Sequence, residues 1–176
     1  MPARAVDQKG SSVSPPASNG NGFVKFEDNP ICKVECIDAH PACEESQKVI
    51  DTLKEIYEAF GRRDVQGCGK YFDENCSTFD EQSKQLISGK QAVMEDVRKK
   101  IERLADDKES PLVSYTIEHP YAQVKGDTAV VTFTATKVFG GKHPRTLQSH
   151  CTDIFVKKDG KWLKLHYRAN WKPVAS

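Results

Sequence analysis

From residue 41 onward the apolar positions follow two rhythms. Val49, Ile50, Leu53, Ile56, Tyr57 and Phe60 recur at spacings of one, three and four, which gathers them on one face of a helix. Pro41 suits a first-turn position and Gly61 a stop. Asp64 is placed to cap a short second helix carrying Val65, Cys68, Tyr71 and Phe72, and a strand-like piece follows at residues 76–79. Ser88-Gly89-Lys90-Gln91 has the form of a capping box; it predicts a third helix with the stripe Val93, Met94, Val97, Ile101 and Leu104, ending near Asp106.

After Pro111 the rhythm changes to alternation. Four strand-like runs cover residues 112–124, 128–139, 145–157 and 161–171, separated by Lys125-Gly126-Asp127, Gly140-Gly141 and Lys158-Asp159-Gly160. Helices followed by an antiparallel meander define the α+β class. Leu163, Leu165, Tyr167 and Ala169 alternate with Lys164, His166, Arg168 and Asn170, so the first set is expected to face the helices. Val131, Phe133 and Ala135 likewise oppose Thr132, Thr134 and Thr136, and Cys151, Asp153 and Phe155 oppose Thr152, Ile154 and Val156. The second face is neither charged nor fully apolar, which predicts a homo-oligomer, a dimer or larger ring, formed through the outer sheet face.

Upstream, residues 1–22 are rich in Ser, Pro, Gly and Asn and offer little to bury, so a disordered tail is expected there, then an extended arm over 23–41 and one domain over 42–173. The 176 residues are 38% hydrophobic and 29% charged, the composition of an ordinary globular chain. A net charge of +1 gives no general attraction to phosphate backbones or anionic lipid, so nucleic-acid and membrane partners are not expected. No apolar run is long enough for a signal-peptide core or a membrane span. A cytoplasmic protein with its six cysteines as free thiols is therefore expected.

Local sequence adds a resemblance. Pro144-Arg145-Thr146-Leu147-Gln148-Ser149, then Asp159-Gly160-Lys161-Trp162 and His166-Tyr167, resemble the association (hub) domain of calcium/calmodulin-dependent protein kinase II, as do Thr78-Phe79-Asp80 and Leu86-Ile87-Ser88-Gly89. That domain belongs to the nuclear transport factor 2-like superfamily, SnoaL-like branch. The resemblance implies a cone: a strongly curved, mainly antiparallel sheet around N-terminal helices, with a small-molecule pocket inside and dimers through the other face. It also implies a basic pocket, but the three hub arginines fall on Ala135, Asp153 and Ala169 and the pocket histidine near Ser114. The scaffold is kept; the hub's anion-binding residues are not.

Asp153 is the most informative polar residue, since the parity that turns Phe155 and Cys151 inward turns this carboxylate inward too. A desolvated carboxylate has a raised pKa and is a natural general base, or else part of a hydrogen-bonded network with Tyr57, Tyr115 or Tyr167. Those tyrosines could stabilise an enolate oxygen, or serve as core residues with one polar tip. The expected pocket comprises Tyr57, Phe79, Tyr115, Phe133, Ala135, Asp153, Phe155, Tyr167 and Ala169. Asp80 lies one residue beyond the position of the ketosteroid isomerases' catalytic carboxylate, where Phe79 stands, which counts against an isomerase mechanism. Cys32, Cys36, His40 and Cys43 lack the Cys-x-x-Cys spacing of a zinc knuckle, and His119, His143, His150 and His166 have no ligand at metal spacing. No metal or cofactor is expected. Two functions follow: a non-catalytic oligomeric binding or assembly module, or a small SnoaL-like isomerase, cyclase or dehydratase with Asp153 as base.

Overall fold

In the computed structural model of the chain, residues 24–26 and 41–174 are described; the expected tail over 1–22, most of the arm, and Cys32, Cys36 and His40 lie outside them. The elements in chain order are β1 (Val24–Phe26), α1 (Pro41–Gly61), α2 (Val65–Gly69), β2 (Phe72–Phe79), β3 (Leu86–Ser88), α3 (Lys90–Asp106), β4 (Leu112–Lys125), β5 (Thr128–Phe139), β6 (Arg145–Lys158), β7 (Lys161–Arg168) and β8 (Lys172–Pro173). The sheet runs β1-β4-β5-β6-β7-β2-β3, with β8 beside β6. β1–β4 and β2–β7 pair in parallel; the other pairs are antiparallel.

The helix boundaries follow from local chemistry. Asp64 caps α2 by accepting from the Gly67 amide at 2.7 Å. Tyr71 and Phe72 fall outside that helix, and Phe72 opens β2 instead. The capping-box expectation for α3 is corrected: Gly89 is the N-cap and no side chain caps it, because Ser88 is engaged as the last residue of β3. The β6–β7 turn adopts left-handed backbone at Asp159 (φ 50°) and Gly160 (φ 75°), the geometry of a two-residue hairpin with the right-handed twist of its strands.

The apolar stripe of α1 lies in the concave face of the sheet. Val49, Leu53, Ile56 and Ala59 are buried there with Ile117, Val131, Phe133, Ala135 and Phe155. Each large side chain so buried contributes roughly 1.5–3 kcal/mol of transfer free energy. Register shifts bend the sheet around the helix: β4 carries an extra residue at His119-Pro120, with His119 at φ 53°, and a second shift falls on β7.

The second shift overturns the expected parity of β7. Ile154 pairs with His166 but Phe155 pairs with Lys164, which leaves Leu165 as the extra residue of a bulge. Before it, Trp162 and Lys164 point inward and Leu163 outward; after it, Tyr167 and Ala169 return to the inner side. Leu163 and Leu165 are therefore half-buried members of the outer face, not core residues. One extra residue exchanges the two faces of a strand, and no periodicity within β7 announces it.

Candidate functional site

The cone encloses a cavity of about 70 Å³, room for several waters or part of a small ligand. Tyr57 and Phe60 on α1, Phe72 on β2, Tyr115 on β4, Lys137 on β5, Lys164 and Tyr167 on β7, and Trp171 beyond β7 line it. A vestibule of about 180 Å³ shares Glu81, Lys100, Lys137 and Trp171 with it and adds Arg103, Asp107 and Arg145. A wider depression of about 900 Å³ at the start of α3 is a less suitable site. It is open, and its charges are already matched: Lys90 with Glu74 at 2.8 Å and Arg98 with Glu95 at 2.6 Å.

Of the nine expected pocket residues, Tyr57, Tyr115, Tyr167 and Ala169 line the cavity. Phe133, Ala135, Asp153 and Phe155 are buried but lie behind that lining. Phe79 is a correction: it is 39% exposed, its ring 5.9 Å from His166 and 5.4 Å from the Arg168 guanidinium. Strand β2 turns Cys76 and Thr78 inward, so its neighbour Phe79 must point out.

Asp153 is inside, at 1% exposure, but its partner is not a tyrosine. The bulge on β7 brings Lys164, itself 2% exposed, to 2.6 Å from Asp153 Oδ2. Both groups of this ion pair are closed off from solvent. Burial pushes the Asp153 carboxyl above the usual range, and the Lys164 ammonium pulls against that shift. Lys164 Nζ also sits 5.2 Å from the ring of Tyr57, 5.3 Å from Tyr167, 5.5 Å from Phe72 and 5.6 Å from Phe155. The aromatic faces offset part of the desolvation that such burial imposes on an ammonium.

Burial also raises the hydroxyls of Tyr57, Tyr115 and Tyr167 well above the usual phenol range, so all three remain protonated donors. Tyr57 and Tyr115 hydrogen-bond one another. The Tyr167 hydroxyl is directed at Asp96 Oδ2, 3.5 Å away, which also holds Lys100 at 2.8 Å. Lys137 differs from both other lysines. Its Nζ lies 3.8 Å from the Trp171 ring and 5.1 Å from the Tyr115 ring, with no ion-pair partner among the described residues. Burial brings its pKa down to about 8.

Sequence reasoning missed Lys164, Lys137, Lys100 and Trp171. The inward parity of Val131, Phe133 and Ala135 does reach Lys137, two residues further on, and was the signal available. Among the described residues no cluster of side chains could hold a metal ion, and no helix is long and apolar enough to cross a membrane. Cys68, Cys76 and Cys151 are free, buried thiols, each pushed up to about 11 by burial.

A curved mixed sheet closed around a long helix, with an enclosed pocket, is the nuclear transport factor 2-like fold. Within it, the chain belongs to the SnoaL-like domain family, whose pattern it matches over residues 49–169. Among solved structures it is similar to a candidate dehydratase of the NTF2-like family from Streptomyces avermitilis, with a TM-score of 0.62 and 18% identity over 76% of this chain and 98% of that one. It is also similar to the calcium/calmodulin-dependent protein kinase II hub of S. rosetta, with a TM-score of 0.56 and 22% identity over 77% and 99% of the two chains. A candidate association domain of that kinase from Xanthomonas campestris matches with a TM-score of 0.57 and 15% identity over 80% and 93%.

Proposed function

We propose that the chain is a non-catalytic, self-associating binding module that holds a small, partly aromatic molecule in the cone. The observation that carries this reading is the enclosed aromatic cavity opening into a vestibule where Lys137, Arg103 and Arg145 outnumber the unpaired acids. A flat apolar body fits against Tyr57, Phe60 and Trp171, and a negatively charged end fits the vestibule. The enzymatic alternative needs Asp153 as a free base facing substrate. Asp153 does not line the cavity, and Lys164 occupies its side of the wall.

Self-association is supported by the outer sheet face. Val130, Val138, Ile154, Val156, Leu163 and Leu165 are half-buried there, and Tyr121 is 49% exposed, a larger apolar surface than alternation alone predicted. Hub domains among the similar structures favour the same reading. The free thiols fit a cytoplasmic setting.

The test uses anilinonaphthalene sulfonate as an anionic aromatic probe, together with sedimentation. The expected outcome is saturable binding by a dimer or larger species, abolished by Ala169→Trp, which fills the cavity, and dissociation of that species by Ile154→Asp. A monomer at tens of micromolar removes the assembly claim, and probe binding indifferent to Ala169→Trp removes the cavity claim.

A further inference from the structure

We infer that Lys137 is a carbonyl-capturing amine, and that the cone takes small aromatic aldehydes or ketones and holds them as a reversible imine. This rests on the reading of the cone as a ligand site and adds a bond to it. Imine formation needs a neutral amine, a carbonyl held beside it and a path for water to leave. Lys137 lies where the 70 Å³ cavity meets the 180 Å³ vestibule, so its Nζ reaches an aromatic slot on one side and an exit on the other.

What separates Lys137 from the other lysines of the cone is the lack of a carboxylate partner. Lys164 has Asp153 at 2.6 Å and Lys100 has Asp96 at 2.8 Å. Lys137 faces the rings of Trp171 and Tyr115, and a lone ammonium there is poorly solvated. The charged and titratable groups around it are Glu81 before β3, Lys100 and Arg103 on α3, Asp107 after it, Tyr115 on β4, and Arg145 and Cys151 on β6. Burial acts most strongly against the charge, Lys100 and Arg103 add repulsion, and Glu81 opposes them, with the balance at about 8. At pH 7.4 roughly a fifth of such amines are neutral, against about one in a thousand for an ordinary lysine, an advantage of about 200-fold.

The chemistry balances without any oxidant or reductant. The Nζ lone pair forms a C–N bond to the carbonyl carbon as the C=O π pair moves onto oxygen, and one proton passes from that nitrogen to that oxygen through vestibule water, giving a neutral carbinolamine. Nitrogen then expels that oxygen as water after a second protonation from vestibule water, leaving an iminium that loses a proton to become the imine. Hydrolysis reverses each step and releases the ligand.

The test exposes the whole chain to 4-carboxybenzaldehyde and cyanoborohydride, which freezes any imine as a secondary amine, and maps the adduct by peptide mass spectrometry. Lys137 is expected to be labelled at least about 10-fold faster than any other lysine, with half-maximal rate near pH 8 and not near 10. Labelling spread over lysines according to exposure, or centred on Lys100 or Lys164, overturns the inference. The alcohol analogue, 4-carboxybenzyl alcohol, cannot form an imine and reports the slot alone. If it displaces the naphthalene probe but Lys137 stays unlabelled, the imine fails and the ligand site stands. If neither occurs, the ligand site fails as well. Lys137→Arg should lose the adduct.

Discussion

The two ends of the cone each hold a lysine against aromatic rings, Lys164 buried and Lys137 half-buried, and the fold treats them oppositely. At the floor, Lys164 is enclosed by four aromatic rings and matched to Asp153 at 2.6 Å. At the mouth, Lys137 has aromatic faces but no carboxylate, and its pKa is brought down to about 8. A buried charge costs several kcal/mol unless paired, so the floor resembles a structural solution and the mouth an unfinished one that a ligand could complete. Asp153, which looks functional in the sequence, is committed to Lys164, whereas Lys137 keeps its chemistry available.

The largest effect should come from breaking the floor. Lys164→Met strands Asp153 and is expected to cost about 3–5 kcal/mol at pH 7, a fall in melting temperature on the order of 10 °C. The stranded carboxyl has a raised folded-state pKa, so the folded protein keeps its proton to higher pH than the unfolded chain. The variant should therefore regain stability relative to wild type as the pH is lowered from 7 toward 5. Asp153→Leu combined with Lys164→Met should restore most of the loss, because no charge remains to be matched. Urea unfolding of the three proteins decides it; a double variant as weak as the single one would make packing, not charge, the cause.

Much of this was legible beforehand. The helical stripe from Val49 to Phe60, the Asp159-Gly160 turn and the inward side of β5 and β6 follow from spacing alone, and Asp153 was found that way. Lys164 was not, because a bulge is a relation between two strands: only the pairing of Phe155 with Lys164 and Ile154 with His166 reveals Leu165 as extra. Phe79 was misplaced for a similar reason, since a short strand rich in polar residues has no apolar alternation to fix its faces. Trp171 contributes from beyond the end of β7, where no strand periodicity applies.

A second, smaller effect is expected where the mouth's own scaffold is removed. Trp171→Ala takes away a half-buried ring and should cost about 2 kcal/mol, below the 3–5 typical of a fully buried one. It should also admit water to Lys137 and return its pKa toward the ordinary value. Reductive labelling at pH 7.4 should then fall and its midpoint move upward. An unchanged midpoint would mean that the rings do not set the amine's behaviour.

The smallest effect has the most telling sign. Lys137→Met removes a positive charge from the mouth and is expected to stabilise the protein at pH 7 by about 1–2 kcal/mol, less than the full cost of burial because the cation–π contacts are also lost. The folded pKa of about 8 lies below the ordinary lysine value of 10.5, so between those pH values the unfolded chain binds more protons than the folded one. Wild-type stability must then rise with pH relative to the variant across that window, and the gap between them must close. Below about pH 8 both states carry the proton and the gap should be constant at its widest. Paired unfolding curves at pH 7, 9 and 10 measure this directly. A variant less stable than wild type at pH 7, or a gap independent of pH, would show that Lys137 is already satisfied and erase the contrast with Lys164.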